Sequence, residues 1–272
     1  MADNIRNAIP LRVRHWGKLA VRPEYRRRHR EIKRLRRIAR YTPAHTYLLG
    51  ERLELVDAAS FLALYDELIE RQIYRFEAGK SAPLIIDGGA NIGVSVIYFK
   101  KLYPKSHIIA FEPDPEVFQV LKKNCESFGI QDVETIPKAL WTSDTALEFM
   151  REGGDAGRLS RDEDNSDLIR VPTCRLKDYL DQEIDLLKLD IEGAETEVLK
   201  DCADRLSNIE RIFVEYHSFA NSPQSLNDLI SVLHDSGFRL HMQCPLFAPQ
   251  PFFKRETYLG MDFQANIFAF RS

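Results

Sequence analysis

Asp87, Gly89, Asn91 and Gly93 lie in one seven-residue stretch, directly behind the apolar run Leu84-Ile85-Ile86. Glu112 ends a second apolar run, 25 residues after Asp87. Asp190 and Glu192 follow Leu187-Lys188-Leu189, while Glu215 and His217 close Ile212-Phe213-Val214. An acid at the end of an apolar run sits at the edge of low dielectric, where its charge acts strongly on a cation. Glycine lets the backbone approach a ligand with no Cβ in the way. A carboxylate accepts two hydroxyls at once, and an imidazole takes a proton near neutral pH. These residues have the means to hold a cationic, hydroxylated ligand and to deprotonate a group beside it.

Such side chains converge only if the apolar runs are neighbouring strands. Leu84–Asp87 reads as a strand and Gly93–Tyr103 as the helix beyond a Gly-rich corner. Strand His107–Glu112 precedes a helix, Pro115–Phe128, which Asp114 is placed to cap. Val133–Ile136 is a third short strand. Ala146–Met150 and Ile169–Thr173 are strand-like runs around the polar loop Arg151–Asp167. Helix Leu176–Leu180, strand Asp185–Asp190, helix Ala194–Leu206, strand Arg211–Tyr216 and helix Ser225–Ser236 follow. Phe238–Gln243 and Ala265–Phe270 are late strands around the aromatic-rich segment Pro245–Gly260. Upstream, Thr46–Val56 holds a short strand or two. A helix capped by Asp57 or Ser60 then carries an apolar stripe from Phe61 to about Phe76. Strand–helix alternation predicts a parallel sheet with helices on both faces, and a ligand beyond the C-terminal strand ends. Lys188 points away from Leu187 and Leu189, so it needs an acid; Glu215 is the candidate.

The choice of ligand is electrostatic. A dinucleotide fingerprint needs G-x-G-x-x-G, which Gly88, Gly89 and Gly93 do not supply. Their pattern with Asp87 is Asp-x-Gly-x-x-x-Gly. An acid before the glycines is unhelpful beside a pyrophosphate. It suits an ammonium group, such as the methionine part of S-adenosylmethionine. Glu112 is then placed for the two ribose hydroxyls.

Four blocks now fall in order: Asp87-Gly88-Gly89-Ala90-Asn91-Ile92-Gly93, Phe111-Glu112-Pro113, Leu187-Lys188-Leu189-Asp190-Ile191-Glu192-Gly193-Ala194-Glu195, and Val214-Glu215-Tyr216-His217. Together they resemble the FkbM family of methyltransferases over roughly Leu84–Phe238. The resemblance implies an α/β, class I (Rossmann-like) methyltransferase fold, with a mostly parallel seven-stranded sheet and an antiparallel last strand. It implies S-adenosyl-L-methionine as cofactor, and mostly O-methylation of sugar or natural-product hydroxyls. Carried over by position, Asp87, Gly89, Asn91 and Gly93 hold the methionine end, and Gly89 clears space for the cofactor. Glu112 holds the ribose, Ala139 and Leu140 line the adenine, and Asp190 sits near the sulfonium or the acceptor. The departure is Gly88, where the family commonly has Val or another apolar residue. The catalytic candidates are Asp190, His217 and Glu215, with Glu192 also in range; His217 has the best-suited ordinary pKa. Those four side chains also have the donor types for Mg²⁺, but in-line displacement needs no metal and none is expected. Glu195 reads as an acid suiting a helix N-terminus.

The 272 residues are 44% apolar and 29% charged, enough to bury a full core. No run approaches a membrane span, and the N-terminus lacks the apolar region of a signal peptide. Cys125, Cys174, Cys202 and Cys244 are scattered, with neither metal-site nor disulfide spacing, so a cytoplasmic setting is expected. The net charge of −3 hides an asymmetry: residues 1–40 hold 14 Lys/Arg against 3 Asp/Glu. Residues 1–45 are expected to form a basic helical extension, and 46–272 the methyltransferase domain. The extension either packs on the acidic body or contacts an anionic surface, and it is expected to be dispensable for donor binding. The basic arm keeps an RNA methyltransferase open as an alternative. A nicotinamide-dependent oxidoreductase and a non-catalytic binding module are weaker ones.

Overall fold

The computed structural model describes residues 23–150, 158–159, 168–246, 248, 250–254 and 257–271. Helix α1 (Pro23–Leu35) leads to an antiparallel pair, β1 (Ala44–Thr46) and β2 (Leu53–Leu55), and to α2 (Ala58–Tyr65). Asp57 caps α2, accepting from Ser60 N at 2.9 Å. The helix then widens into a π-helical turn, Asp66–Arg71. The main alternation follows: β3 (Leu84–Gly88), α3 (Val94–Leu102), β4 (His107–Phe111), α4 (Pro115–Ser127) and β5 (Val133–Ile136). Asp114 caps α4, and Pro115 opens it, where a missing N–H costs nothing. Next come β6 (Ala139–Trp141), β7 (Ala146–Met150), β8 (Arg158–Leu159) and β9 (Leu168–Arg175). The chain closes with β10 (Leu186–Leu189), α5 (Glu195–Asp201), β11 (Arg211–Phe219), α6 (Leu226–Asp235), β12 (Arg239–Leu246) and β13 (Met261–Phe270).

The seven-stranded sheet runs β12-β13-β11-β10-β3-β4-β5. Adjacent strands are parallel from β5 to β11, and β13 runs antiparallel to both β11 and β12. Alternation along the strands divides the core in two. Leu84, Ile86, Leu187, Leu189, Ile212 and Val214 face one cluster with α5 and α6. Ile85, Ile108, Leu186 and Phe213 face the other, with α2, α3 and α4. Asp87, Lys188, Glu215 and His217 continue that second set of positions toward the C-terminal ends of β3, β10 and β11.

Two features go beyond the sequence reading. Strands β6, β9, β7 and β8 form a second, four-stranded sheet around Ala139, Phe149 and Val171. The expected helix Leu176–Leu180 is one 3₁₀ turn, Leu176–Tyr179. Residues 1–22 and most of the loop Arg151–Asp167 lie outside the described residues. Among the described residues, no helix is long and apolar enough to cross a membrane.

The described part of the basic extension is fastened to the body. Leu35 is 1% exposed, within the cluster that holds Phe61 and Ile97. Arg40 pairs with the buried Asp57 at 3.0 Å, and the Arg28 guanidinium lies over the Tyr65 ring. Leu35→Ala should therefore cost about 2–5 kcal/mol in urea unfolding. A loss near zero would mean that α1 is not held on the core.

Candidate active site

Past β3 the chain turns through Gly89 (φ 77°), Asn91 (φ 49°) and Gly93 (φ 87°). A Cβ on Gly89 would overlap the backbone oxygen of Asp190. The glycine serves the close crossing of the two strand ends, a different reason from the cofactor clearance expected from sequence. Asn91 N donates to Glu112 Oε2 at 2.9 Å, and Asp114 N donates to Glu112 Oε1 at 2.8 Å. These bonds fix the Glu112 carboxylate beside the turn. Burial pushes its pKa up to about 7, against the two backbone N–H groups.

Asp87 is fully buried, and its partners belong to the protein. Ser95 Oγ donates to Asp87 Oδ2 at 2.5 Å, and Lys188 Nζ lies 3.2 Å from Oδ1. Register explains the pairing: Lys188 stands opposite Asp87, so the acid is Asp87 and not the Glu215 expected from sequence. Lys188 also donates to Gly89 O at 2.6 Å and lies 3.4 Å from Asp190 Oδ2. Burial opposes the Lys188 charge, but Asp87 and then Asp190 outweigh it and hold its pKa above the ordinary lysine value.

Leu140 and Ala139 follow β5, and both are buried. A Cβ on Gly88 would meet Leu140 Cδ1 at 2.8 Å. Gly88 thus leaves room for the Leu140 side chain, which is turned to protein and not to open space.

Acids crowd the ends of β10 and β11. Asp190 is partly exposed; Glu192, in a left-handed turn (φ 55°), and Glu215 are nearly buried. His217 lies among them, its side chain 2% exposed. Its Nδ1 is 3.1 Å from Glu195 Oε1, and its Nε2 is 3.6 Å from Glu192 and 3.7 Å from Glu215. A carboxylate only accepts, so Nδ1 carries the proton. Burial works against a charged ring, but Glu192, Glu195 and Glu215 overcome it and hold the pKa well above the ordinary imidazole value. Burial and neighbouring acids raise Glu192 and Glu215. Gln264 Nε2 donates to Glu215 Oε1.

Sequence reasoning missed three members of this group. Glu195, expected only as a helix-end acid, accepts from Ile191 N and Gly193 N and orients His217. Glu67, on the π-helical turn, is pushed up to about 7 by burial and by Glu215. Tyr74 stacks on Phe99 and edges Phe213, beneath the same acids. Glu67 and Tyr74 precede β3, and nothing in their local pattern points across the sheet.

A sheet of this order, with a Gly-rich turn after the first core strand and acids ending the next ones, defines a class I methyltransferase. The comparisons agree. The family described as "Methyltransferase FkbM domain" matches residues 87–240. Methyltransferase sdnD of Sordaria araneosa is 30% identical, over 70% of this chain and 86% of its own. The 31-O-demethyl-FK506 methyltransferase FkbM of Streptomyces tacrolimicus is 25% identical, over 73% of this chain and 90% of its own. The 2-O-methyltransferase NoeI of Sinorhizobium fredii is 26% identical, over 50% of this chain and 64% of its own. The chain belongs to the FkbM methyltransferase family.

Proposed function

We propose that the protein transfers a methyl group from S-adenosylmethionine to a hydroxyl of a sugar or other small-molecule acceptor. The observation that carries this is the surplus of carboxylates at the strand ends. Among the described residues, Asp87, Asp190, Glu192, Glu195 and Glu215 have Lys188 and His217 as their cationic partners. Such a site favours a cationic ligand. The names of two relatives, a 2-O- and a 31-O-methylating enzyme, support a hydroxyl acceptor.

The residues fit the donor. Glu112 spends one lone pair of each oxygen on a backbone N–H, which leaves acceptors for two ribose hydroxyls. Gly89, Asn91 and Gly93 form the turn for the methionine end, with Asp190 the acid beside it. Ala139 supplies the apolar edge nearest the adenine, and Leu140, turned toward Gly88, backs it from the protein side. Asp87 acts through Lys188, holding it against the glycine carbonyls. When bound, the donor supplies an electrophilic methyl on a sulfonium. The protein aligns the acceptor oxygen with it, and Glu215 is in reach of the proton that must leave, while His217, kept charged by the surrounding acids, faces that carboxylate. The setting is cytoplasmic, where the donor is made.

Calorimetry tests the donor half. S-adenosylmethionine should bind, and Glu112→Gln should weaken it by about 1.5–3 kcal/mol, roughly 10- to 150-fold. Because Glu112 titrates near 7, wild-type affinity should fall as pH drops from 8 to 6, by at most about tenfold per unit. Glu112→Gln should flatten that limb. No donor binding at any pH would overturn the proposal, and an unchanged variant would remove Glu112 from the ribose. Incubating the enzyme with labelled donor and a panel of glycans and hydroxylated natural products tests the acceptor half.

A further inference from the structure

We propose that Asp190, Glu192 and His217 bind one first-row divalent cation. A carboxylate oxygen from each acid and a ring nitrogen of His217 lie within 4.8 Å of one another. Two atoms each about 2.1 Å from a shared ion stand about 3–4.2 Å apart, so side-chain rotation alone closes the set.

The His217 ring is buried and already aimed. Its Nδ1–H is held by Glu195, so Nε2 is the nitrogen that points to Glu192 and Glu215. At 3.6 and 3.7 Å neither contact is a hydrogen bond. Glu192 Oε2, the oxygen facing that nitrogen, is buried with no hydrogen-bond partner. A nitrogen and an oxygen thus converge with no hydrogen bond between them, and a bound ion would take the place of the Nε2 proton, which is released to solvent. A carboxylate holding the far ring nitrogen is the usual support for a metal-ligating histidine. Lys188 lies 3.4 Å from Asp190 Oδ2, but its hydrogen bonds go to the glycine carbonyls and its shorter ion pair to Asp87. One nitrogen with two carboxylates suits Mn²⁺, Fe²⁺ or Zn²⁺ better than Ca²⁺.

What the ion does rests on the methyl-transfer reading; that it binds does not. An ion here would take the acceptor's hydroxyl oxygen as a further ligand and lower its pKa. The hydroxyl proton passes to Glu215. The oxygen then forms its bond to the methyl carbon as the carbon–sulfur bond breaks, and that electron pair stays on sulfur, leaving a neutral thioether.

Mn²⁺ is the probe. The full-length protein, stripped with a chelator, is titrated with Mn²⁺ and free ion is followed by electron paramagnetic resonance. One ion per chain should bind without donor present, and pulsed measurements should show coupling to a ring nitrogen. His217→Gln should abolish that coupling, and Asp190→Asn and Glu192→Gln should each weaken binding at least tenfold. No binding by folded wild-type protein up to about millimolar Mn²⁺, or binding with no nitrogen coupling, overturns the site. Calorimetry with S-adenosylmethionine on the stripped protein separates the two readings. Donor binding without metal binding sinks the metal site alone, and metal binding without donor binding sinks the methyl-transfer reading alone.

Discussion

Lys188→Met should lower stability by about 3–5 kcal/mol, the usual cost of leaving one member of a buried ion pair alone. Asp87 is wholly buried, and its only described cation is Lys188 at 3.2 Å. Asp190, 3.4 Å from the same ammonium, loses its partner too. Methionine fills the space but brings no charge, so packing changes little and the electrostatic loss dominates. Urea unfolding followed by circular dichroism measures it. Adding Asp87→Asn should restore most of the loss, because the uncompensated charge is then gone. A single variant within about 1 kcal/mol of wild type would show that the pair does not hold these strands together.

Gly89→Ala should be almost as damaging as Gly89→Val, costing about 3 kcal/mol or more and with it donor binding. The left-handed backbone alone costs an L-residue about 1–2 kcal/mol. The first carbon of any side chain then meets the Asp190 backbone oxygen, which no rotamer change relieves. Moving that oxygen drags Asp190 and the turn of Glu192 with it. Thermal unfolding of the two variants decides between explanations. An alanine variant that unfolds like wild type but fails to bind donor would return the glycine to the cofactor-clearance role.

The sheet was legible because its central strands are buried on both faces. Leu84-Ile85-Ile86 and Ile108-Ile109-Ala110-Phe111 read as unbroken apolar runs, each ended by an acid. The order of blocks located Asp87, Glu112 and Asp190 at neighbouring strand ends, whereas His217, beyond the expected strand Arg211–Tyr216, lies inside β11, which runs on to Phe219. Who partners whom was not legible, because it depends on register. Lys188 stands opposite Asp87, and one residue's slip would have turned it to the other face. The second sheet escaped notice since β6 is three residues long and pairs with a strand beyond the polar loop. Glu67 escaped because a π-helical turn shifts side chains off the 3.6-residue stripe that made the helix recognisable.

That turn also decides what can be exchanged between relatives. The shared family domain begins at Asp87, yet Glu67 and Tyr74 reach the acid group from upstream. Residues 87–240 are therefore not a self-contained unit: grafted into a foreign frame, they would carry the Gly-rich turn and lose Glu67 and Tyr74, which bear on these acids. The reverse graft is the useful one. Swapping the segment 56–80 between family members exchanges Glu67 and Tyr74 and leaves Asp87, Glu112 and Lys188 in place in the sequence.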